Sequence, residues 1–232
     1  MQGKKLKISK SHQAAWKSLI HAYRAETFPQ SLLIEGLGGI GKKYFALELS
    51  KLLICERVTQ DEACGLCPSC LSWNPQEGSP YMTWLTPCKV VKSGSDSALA
   101  TRFGKAMSEK REAILNNPYD LHVFQSDDQV YMEQIRKLQA DSSFARSQNH
   151  VVFLPEADRF TKSSANALLK ILEEAPPSLY FILTTSNRSG LLPTILSRCS
   201  RIHLPPNSMD EILNEIKTDV DINIDPQVLV HL

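Results

Sequence analysis

The sequence lacks a long apolar segment. No run of about eighteen apolar residues occurs, which is the length needed to cross a bilayer. The basic N-terminus, MQGKKLKISKSHQ, is not followed by the apolar stretch that a secretion signal requires. We therefore expect no membrane span and a chain that works in the cytoplasm.

An excess of charge of one sign is also missing. The 232 residues include 26 Lys and Arg against 25 Asp and Glu, a net charge of +1. Such a balance gives no overall attraction to nucleic acid, so any contact with it must come from a local patch. The length and the 42% of hydrophobic residues suffice for one large domain, or for a domain with a small appendage.

What the sequence does contain is an alternation of helix and strand patterns. Helices show apolar residues three and four positions apart, and strands show short apolar runs. The predicted elements are, in chain order, helix 11–25, strand 31–35, helix 43–53, strand 121–124, helix 129–140, strand 151–154, helix 161–174 and strand 180–184. This alternation predicts an α/β fold, a parallel sheet flanked by helices on both faces.

A boundary is indicated near the C-terminal end. Pro205 and Pro206 interrupt the pattern, and SMDE, from Ser208 to Glu211, is a capping box that opens one more helix. We expect a main domain over 1–204 and the start of a small helical lid domain over 205–232, truncated where the chain ends.

A glycine-rich loop follows the first predicted strand. In GLGGIGKKYF, the glycines Gly36, Gly39 and Gly41 let backbone amides turn toward a phosphate, and Lys42 is placed to reach the terminal phosphates. The alternative is a glycine-rich turn that binds no ligand.

Both protein ligands of a magnesium ion are missing. Lys43 stands where a phosphate loop carries Ser or Thr, and an ammonium repels a cation instead of binding it. Pro155 stands directly after the strand VVFL, where the second ligand, an aspartate, belongs. Glu156 remains as a possible base for water, or else as a surface or helix-capping acid. The sequence therefore predicts no ATP hydrolysis and makes ATP binding doubtful.

The cysteines form a metal-binding pattern. Six cysteines without an export signal indicate metal ligands or buried thiols rather than disulfides. Two C-x2-C steps match the spacing of structural zinc sites, and four thiolates leave no open position for water. The alternative is four unrelated thiols. The predicted zinc ligands are Cys55, Cys64, Cys67 and Cys70, and the remaining thiols, predicted to be free and buried, are Cys88 and Cys199.

Three further segments connect these motifs to a family. They are QIRKL at 134–138, SANALLKILEEAPP at 164–177 and LLPTILSRC at 191–199. With the phosphate loop and the cysteines, they resemble the clamp-loader subunits of bacterial DNA polymerase III, chiefly the delta-prime type. The likeness covers nearly the whole chain except about 88–120. It implies an AAA+ P-loop fold with a zinc module at about 55–70, inserted after the first helix of the nucleotide-binding core.

The resemblance also implies a function. Such subunits form a hetero-oligomeric ring that loads the sliding clamp onto primed DNA within the polymerase holoenzyme, and members of this type carry a nonfunctional nucleotide site. Arg198, in Ser-Arg-Cys, corresponds to an arginine finger that enters the ATP site of a neighbouring subunit. The alternative for Arg198 is a local salt bridge. Thr184 and Thr185 occupy the phosphate-sensing region and are expected to form local hydrogen bonds here.

Two rival functions and one insert stay open. The chain could be an ATP-hydrolysing motor subunit of the same fold, or a stand-alone zinc-dependent DNA-binding module, although the acidic segment 56–62 disfavours the latter. The insert, about 88–120, could contact DNA phosphates or simply be solvated. Its candidate cations are Arg102, Lys105, Lys110 and Arg111.

Overall fold

The computed structural model describes residues 8–74, 78–89, 96–120, 122–140, 148–208 and 211. Five parallel strands form one sheet in the order β2-β3-β4-β1-β5. The strands are β1 Ser31–Glu35, β2 Met82–Trp84, β3 His150–Leu154, β4 Leu179–Thr185 and β5 Ser200–His203. The helices are α1 Gln13–Arg24, α2 Lys42–Ile54, α3 Pro68–Leu71, α4 Asp96–Asn116, α5 Met132–Ala140, α6 Lys162–Glu174 and α7 Pro193–Leu196.

The sheet is buried between two layers of helices. Successive side chains of a strand point to opposite faces, so Leu32 and Ile34 of β1 join one apolar cluster and Leu33 joins the other. The first cluster contains the apolar side chains of α1 and α2, and the second contains those of α5 and α6. The predicted α/β fold with a parallel sheet flanked by helices is confirmed.

The prediction of a strand at 121–124 is wrong for the described residues 122–124, which are not extended in the sheet. The amide of His122 donates to the Asp120 carboxylate at 2.7 Å, and the amide of Gln125 donates to Asp128 at 2.7 Å. Backbone groups bonded to nearby side chains cannot also form a strand ladder. The place beside β3 is taken by β2, whose register pairs Met82 with Val151.

The edge strand β5 was not predicted. It pairs only with β1, and three of its four residues are exposed, so its sequence SRIH carries no apolar run. Helix α5 begins at Met132 instead of 129 because Gln129 and Val130 form β-bridges with Cys88 and Phe160.

The capping box at the C-terminal end has formed. The Ser208 amide donates to the Glu211 carboxylate at 2.9 Å, and the Glu211 amide lies 3.3 Å from the Ser208 hydroxyl. Glu211 also accepts a hydrogen bond from the Ser11 amide at 2.8 Å. The rest of the predicted lid, 212–232, lies outside the described residues, so the domain boundary at 205 stays a prediction. Among the helices that the structure describes, none has the length and apolar character to span a membrane.

Candidate nucleotide loop, cysteine cluster and surface arginine

The glycine loop makes a tight turn between a strand and a helix. It joins the end of β1 to the start of α2, and Gly39 and Gly41 have φ angles of 77° and 90°. These are left-handed conformations that favour glycine, because any other residue would place a Cβ in conflict with the backbone. The glycines thus permit the turn, and phosphate binding by this loop stays a prediction.

Lys42 is turned back onto its own loop. Its ammonium donates to the carbonyl of Gly36 at 2.9 Å, to the carbonyl of Leu37 and to the hydroxyl of Ser186 at 3.0 Å. The residue is only 6% exposed, and burial lowers the pKa of its amine to about 8. Protein oxygens therefore surround the cation that would reach the phosphates in a working loop.

Lys43 is also buried, and its partner comes from a distant part of the chain. Its ammonium donates to the backbone carbonyl of Asp120 at 2.6 Å and lies 5.6 Å from the centre of the Phe124 ring. Burial lowers the pKa of this amine. With two lysines at the start of α2 and no Ser or Thr at the second of these positions, the loop does not fit a magnesium ion.

The second position that would supply a magnesium ligand, directly after β3, also lacks one. Pro155 follows β3 directly, as the sequence shows, and offers no ligand. The carboxylate of Glu156 is 2.6 Å from Arg159, and its amide donates to the Thr184 hydroxyl at 3.2 Å. Glu156 is thus held in a local ion pair, and its side chain makes no capping hydrogen bond to the short helical turn that follows.

Two threonines near the loop serve local structure. Besides Thr184, the hydroxyl of Thr185 donates to the Asp158 carboxylate at 2.5 Å and accepts from the Asn187 amide at 3.0 Å. Both threonines are at most 1% exposed. Their predicted local hydrogen bonds are confirmed.

The structure brings the four predicted metal ligands together. Their sulfur atoms all lie within 4.8 Å of one another, with 4.0 Å between Cys55 and Cys67 and 3.9 Å between Cys64 and Cys70. A tetrahedral zinc with bonds of about 2.3 Å would place sulfurs about 3.8 Å apart, whereas a disulfide needs about 2 Å. The cluster therefore has the dimensions of a four-thiolate metal site.

Backbone amides point at these sulfurs. The amide of Cys64 lies 3.3 Å from the Cys55 sulfur, and the amides of Leu66 and Cys67 lie 3.4 Å and 3.3 Å from the Cys64 sulfur. Amide hydrogen bonds stabilise negative charge on thiolates and fix the direction of ligands around a metal. This donor arrangement fits a structural metal ion.

The contacts that attach the cysteine module to the main domain were not predicted from the sequence. Trp16 of α1 donates its indole N–H to the carbonyl of Asp61 at 3.1 Å, and Glu56 accepts from the amide and hydroxyl of Ser69 at 3.2 Å and 2.7 Å. Arg24 forms an ion pair with Asp61 at 2.7 Å. Within the acidic segment 56–62, Asp61 thus joins the module to α1, whereas Glu56 links two parts of the module itself.

Arg198 lies at the surface just after α7. One nitrogen of its guanidinium donates to the carbonyl of Thr194 at 3.0 Å, and another pairs with the carboxylate of Glu173 in the last turn of α6. The side chains of Arg198 and Glu173 are 36% and 50% exposed. The salt bridge weighed as the alternative is present in the single chain, and Glu173 is a partner that the sequence analysis did not identify.

One of the candidate cations of the insert, Lys110, is turned toward the domain. Lys110 is in an ion pair with Asp128 at 2.6 Å, where the side chains are 21% and 2% exposed. Lys105 is 79% exposed and lies 3.9 Å from Glu109. Lys110 therefore anchors α4 to the domain, and it is not available as the DNA contact considered from the sequence.

The chain is similar to known proteins over most of its length. Residues 11–208 match the protein family described as DNA polymerase III, delta subunit. The chain is 27% identical over 191 residues to DNA polymerase III subunit delta' of Yersinia pestis, covering 80% of this chain and 44% of the relative. It is likewise 27% identical over 191 residues to the delta' subunit of Escherichia coli, covering 82% and 47%.

A related subunit also matches. DNA polymerase III subunit gamma/tau of Mycoplasma genitalium is 25% identical over 219 residues, covering 93% of this chain and 30% of the relative. The chain therefore spans less than half the length of these three relatives.

Proposed function

Because the chain belongs to the DNA polymerase III delta subunit family, we propose that it is a clamp-loader subunit that does not hydrolyse ATP itself. The observation that carries this proposal is the start of α2, where Lys43 stands in place of the hydroxyl residue that would bind magnesium and donates instead to the carbonyl of Asp120. Phosphoryl transfer in P-loop proteins depends on a metal that bridges the phosphates. A loop that holds an ammonium in that place lacks the means to perform it.

The partners follow from the same proposal. The chain would assemble with the other clamp-loader subunits into a hetero-oligomeric ring. The assembled complex would bind the sliding clamp and primed DNA. In this arrangement the domain forms part of the ring and contacts its neighbours, while the motor subunits hydrolyse ATP.

Arg198 is proposed to take part in hydrolysis at a neighbouring site. Its guanidinium is partly exposed and is held only by the surface carboxylate of Glu173 and one carbonyl. Exposed ion pairs contribute about 0.2–1 kcal/mol, so a triphosphate with several negative charges can replace this carboxylate. A planar guanidinium then binds two phosphate oxygens at once and stabilises the transferring group.

The cysteine module is proposed to hold a structural zinc ion through Cys55, Cys64, Cys67 and Cys70. Four sulfur ligands complete a tetrahedral shell, so no place remains for a reacting water. Since Cys55 directly follows α2 and Cys70 lies in α3, the ion would join the end of a core helix to the surface module.

The rival function is an ATP-hydrolysing motor subunit. The similarity to a gamma/tau subunit over 93% of this chain favours it. The buried lysines at the start of α2 and Pro155 after β3 argue against it. Turnover by the isolated chain separates the two functions.

We predict no magnesium-dependent ATP hydrolysis by the isolated protein above background, because neither magnesium ligand is present. Two variants test Lys42: Lys42→Met keeps an unbranched side chain of similar length without the charge, and Lys42→Ala removes the chain. Both should leave clamp loading by the reconstituted complex nearly intact. Steady-state phosphate release is the measurement, with thermal unfolding to confirm that each variant is folded. A turnover that both Lys42 variants abolish would establish the motor function instead.

We predict one zinc ion per chain in protein purified under reducing conditions, measured by elemental analysis. Cys67→Ser should lose the metal and loosen the module while far-UV circular dichroism shows the sheet retained, because the module depends on the ion and the sheet has its own core. Cys199→Ser, a buried cysteine outside the cluster, is the matched control and should keep the zinc. Metal-free, fully reduced wild-type protein would contradict the assignment.

We predict that Arg198→Ala leaves the fold and the assembly of the complex unchanged but lowers its ATPase rate. An arginine finger raises the rate of hydrolysis about a thousandfold or more at the site it serves. A ring with several motor sites would lose only the part of its total ATPase rate that depends on this interface. Arg198→Lys should rescue poorly, because lysine cannot make the planar two-point contact.

The control for this test is Arg201→Ala, which removes an exposed arginine from the edge strand β5. Hydrolysis is measured with clamp and primed DNA present. If Arg198→Ala assembles normally and the complex keeps the wild-type rate, Arg198 is not a finger and forms only the salt bridge to Glu173.

A further inference from the structure

The end of the insert lies against the phosphate loop. Tyr119, just after α4, stacks on Tyr44 of α2 with ring centres 5.9 Å apart and planes inclined by 23°. A Cβ atom built on Gly41 would lie 2.7 Å from the Tyr119 ring. The ring is therefore in direct contact with the first turn of α2, where a phosphate loop exposes its amides to phosphate.

The next residue completes this contact. The carbonyl of Asp120 accepts the hydrogen bond from the Lys43 ammonium at 2.6 Å. A buried cation needs oxygen partners, and here the insert supplies one. The backbone of the insert thus provides the hydrogen-bond acceptor for the Lys43 ammonium.

The segment is fixed in place on both sides. Before it, Ile114 near the end of α4 is fully buried in the core cluster that includes Phe45 of α2. After it, the Asp120 carboxylate accepts from the His122 amide at 2.7 Å. The ion pair between Lys110 and Asp128 connects α4 to the part of the chain that follows residues 117–120. These contacts hold residues 117–120 against the loop.

We propose that residues 117–120 form a built-in plug, which occupies the mouth of the phosphate loop and keeps nucleotides out. A phosphate group that approaches the amides of Gly41 and Lys42 has to displace the Tyr119 ring and break the bond between Lys43 and Asp120. The loop is then held in one state whatever the nucleotide concentration. This inference deepens the proposed loss of hydrolysis and is independent of the role of Arg198.

The first test is nucleotide binding without magnesium, measured by calorimetry with ATP and with inorganic tripolyphosphate. The wild-type protein should bind neither at millimolar concentration. Tyr119→Ala should gain affinity by at least about tenfold, because it opens the mouth of the loop and leaves Lys42 unchanged. Tyr180→Ala, which removes another half-buried ring, one in contact with Phe28, is the matched control and should gain nothing.

Every other outcome overturns the plug. If wild type and Tyr119→Ala bind equally well, the ring does not obstruct the loop. If neither binds, the loop is closed by its own lysines and the insert is not what excludes the nucleotide. ATP hydrolysis by the wild-type chain would instead contradict the proposed function, so the two failures can be told apart.

The second test measures the contact itself. Gly41→Ala should lower the denaturation midpoint strongly, both because of its φ of 90° and because the new methyl group meets Tyr119. In a Tyr119→Ala background the second cause is absent, so the drop should shrink by about half; such non-additivity reports direct contact. An equal drop in both backgrounds would show that Tyr119 does not lie on the loop.

Discussion

The structure depends on the burial of helix α2. Eleven of its thirteen residues are buried, because strands of the sheet lie on one side and α1 and the insert on the others. A helix enclosed in this way cannot shift or turn without breaking the core. The glycine loop enters it at Lys42, and Cys55 follows its last residue, so one rigid helix sets the position of the nucleotide loop and of the metal cluster.

That burial also determines the chemistry at the start of the helix. The N-terminus of a helix favours anions, yet two lysines stand there and both are enclosed. They are tolerated because carbonyl oxygens of the loop surround Lys42 and the carbonyl of Asp120 meets Lys43. The carboxylates of Glu156 and Asp158 add favourable charge nearby. The two lysine ammonium groups at the glycine loop are thus satisfied by oxygen atoms of the protein itself.

The surface arginine is placed differently. Arg198 and Glu173 are both partly exposed, so their pairing is screened by water and can exchange for a stronger anion. The lysines at the loop are buried and have fixed partners. The difference in burial between these lysines and Arg198 is the physical basis of the division of labour proposed above.

The sequence by itself determined the elements with strong local patterns. Helices α1, α2 and α6 follow from apolar spacing, and the glycine loop and cysteine set follow from residue types at fixed intervals. Strands β2 and β5 were missed because they are short strands at the two edges of the sheet. The run 121–124 was predicted to be a strand because its apolar residues fit one, whereas the Asp120 carboxylate binds the amide of His122 and the Asp128 carboxylate binds that of Gln125, just after the run. Only the tertiary structure decided that Tyr119 lies on Gly41 and that Glu173 pairs with Arg198, because those contacts join residues far apart in the chain, whose meeting depends on how the helices pack on the sheet.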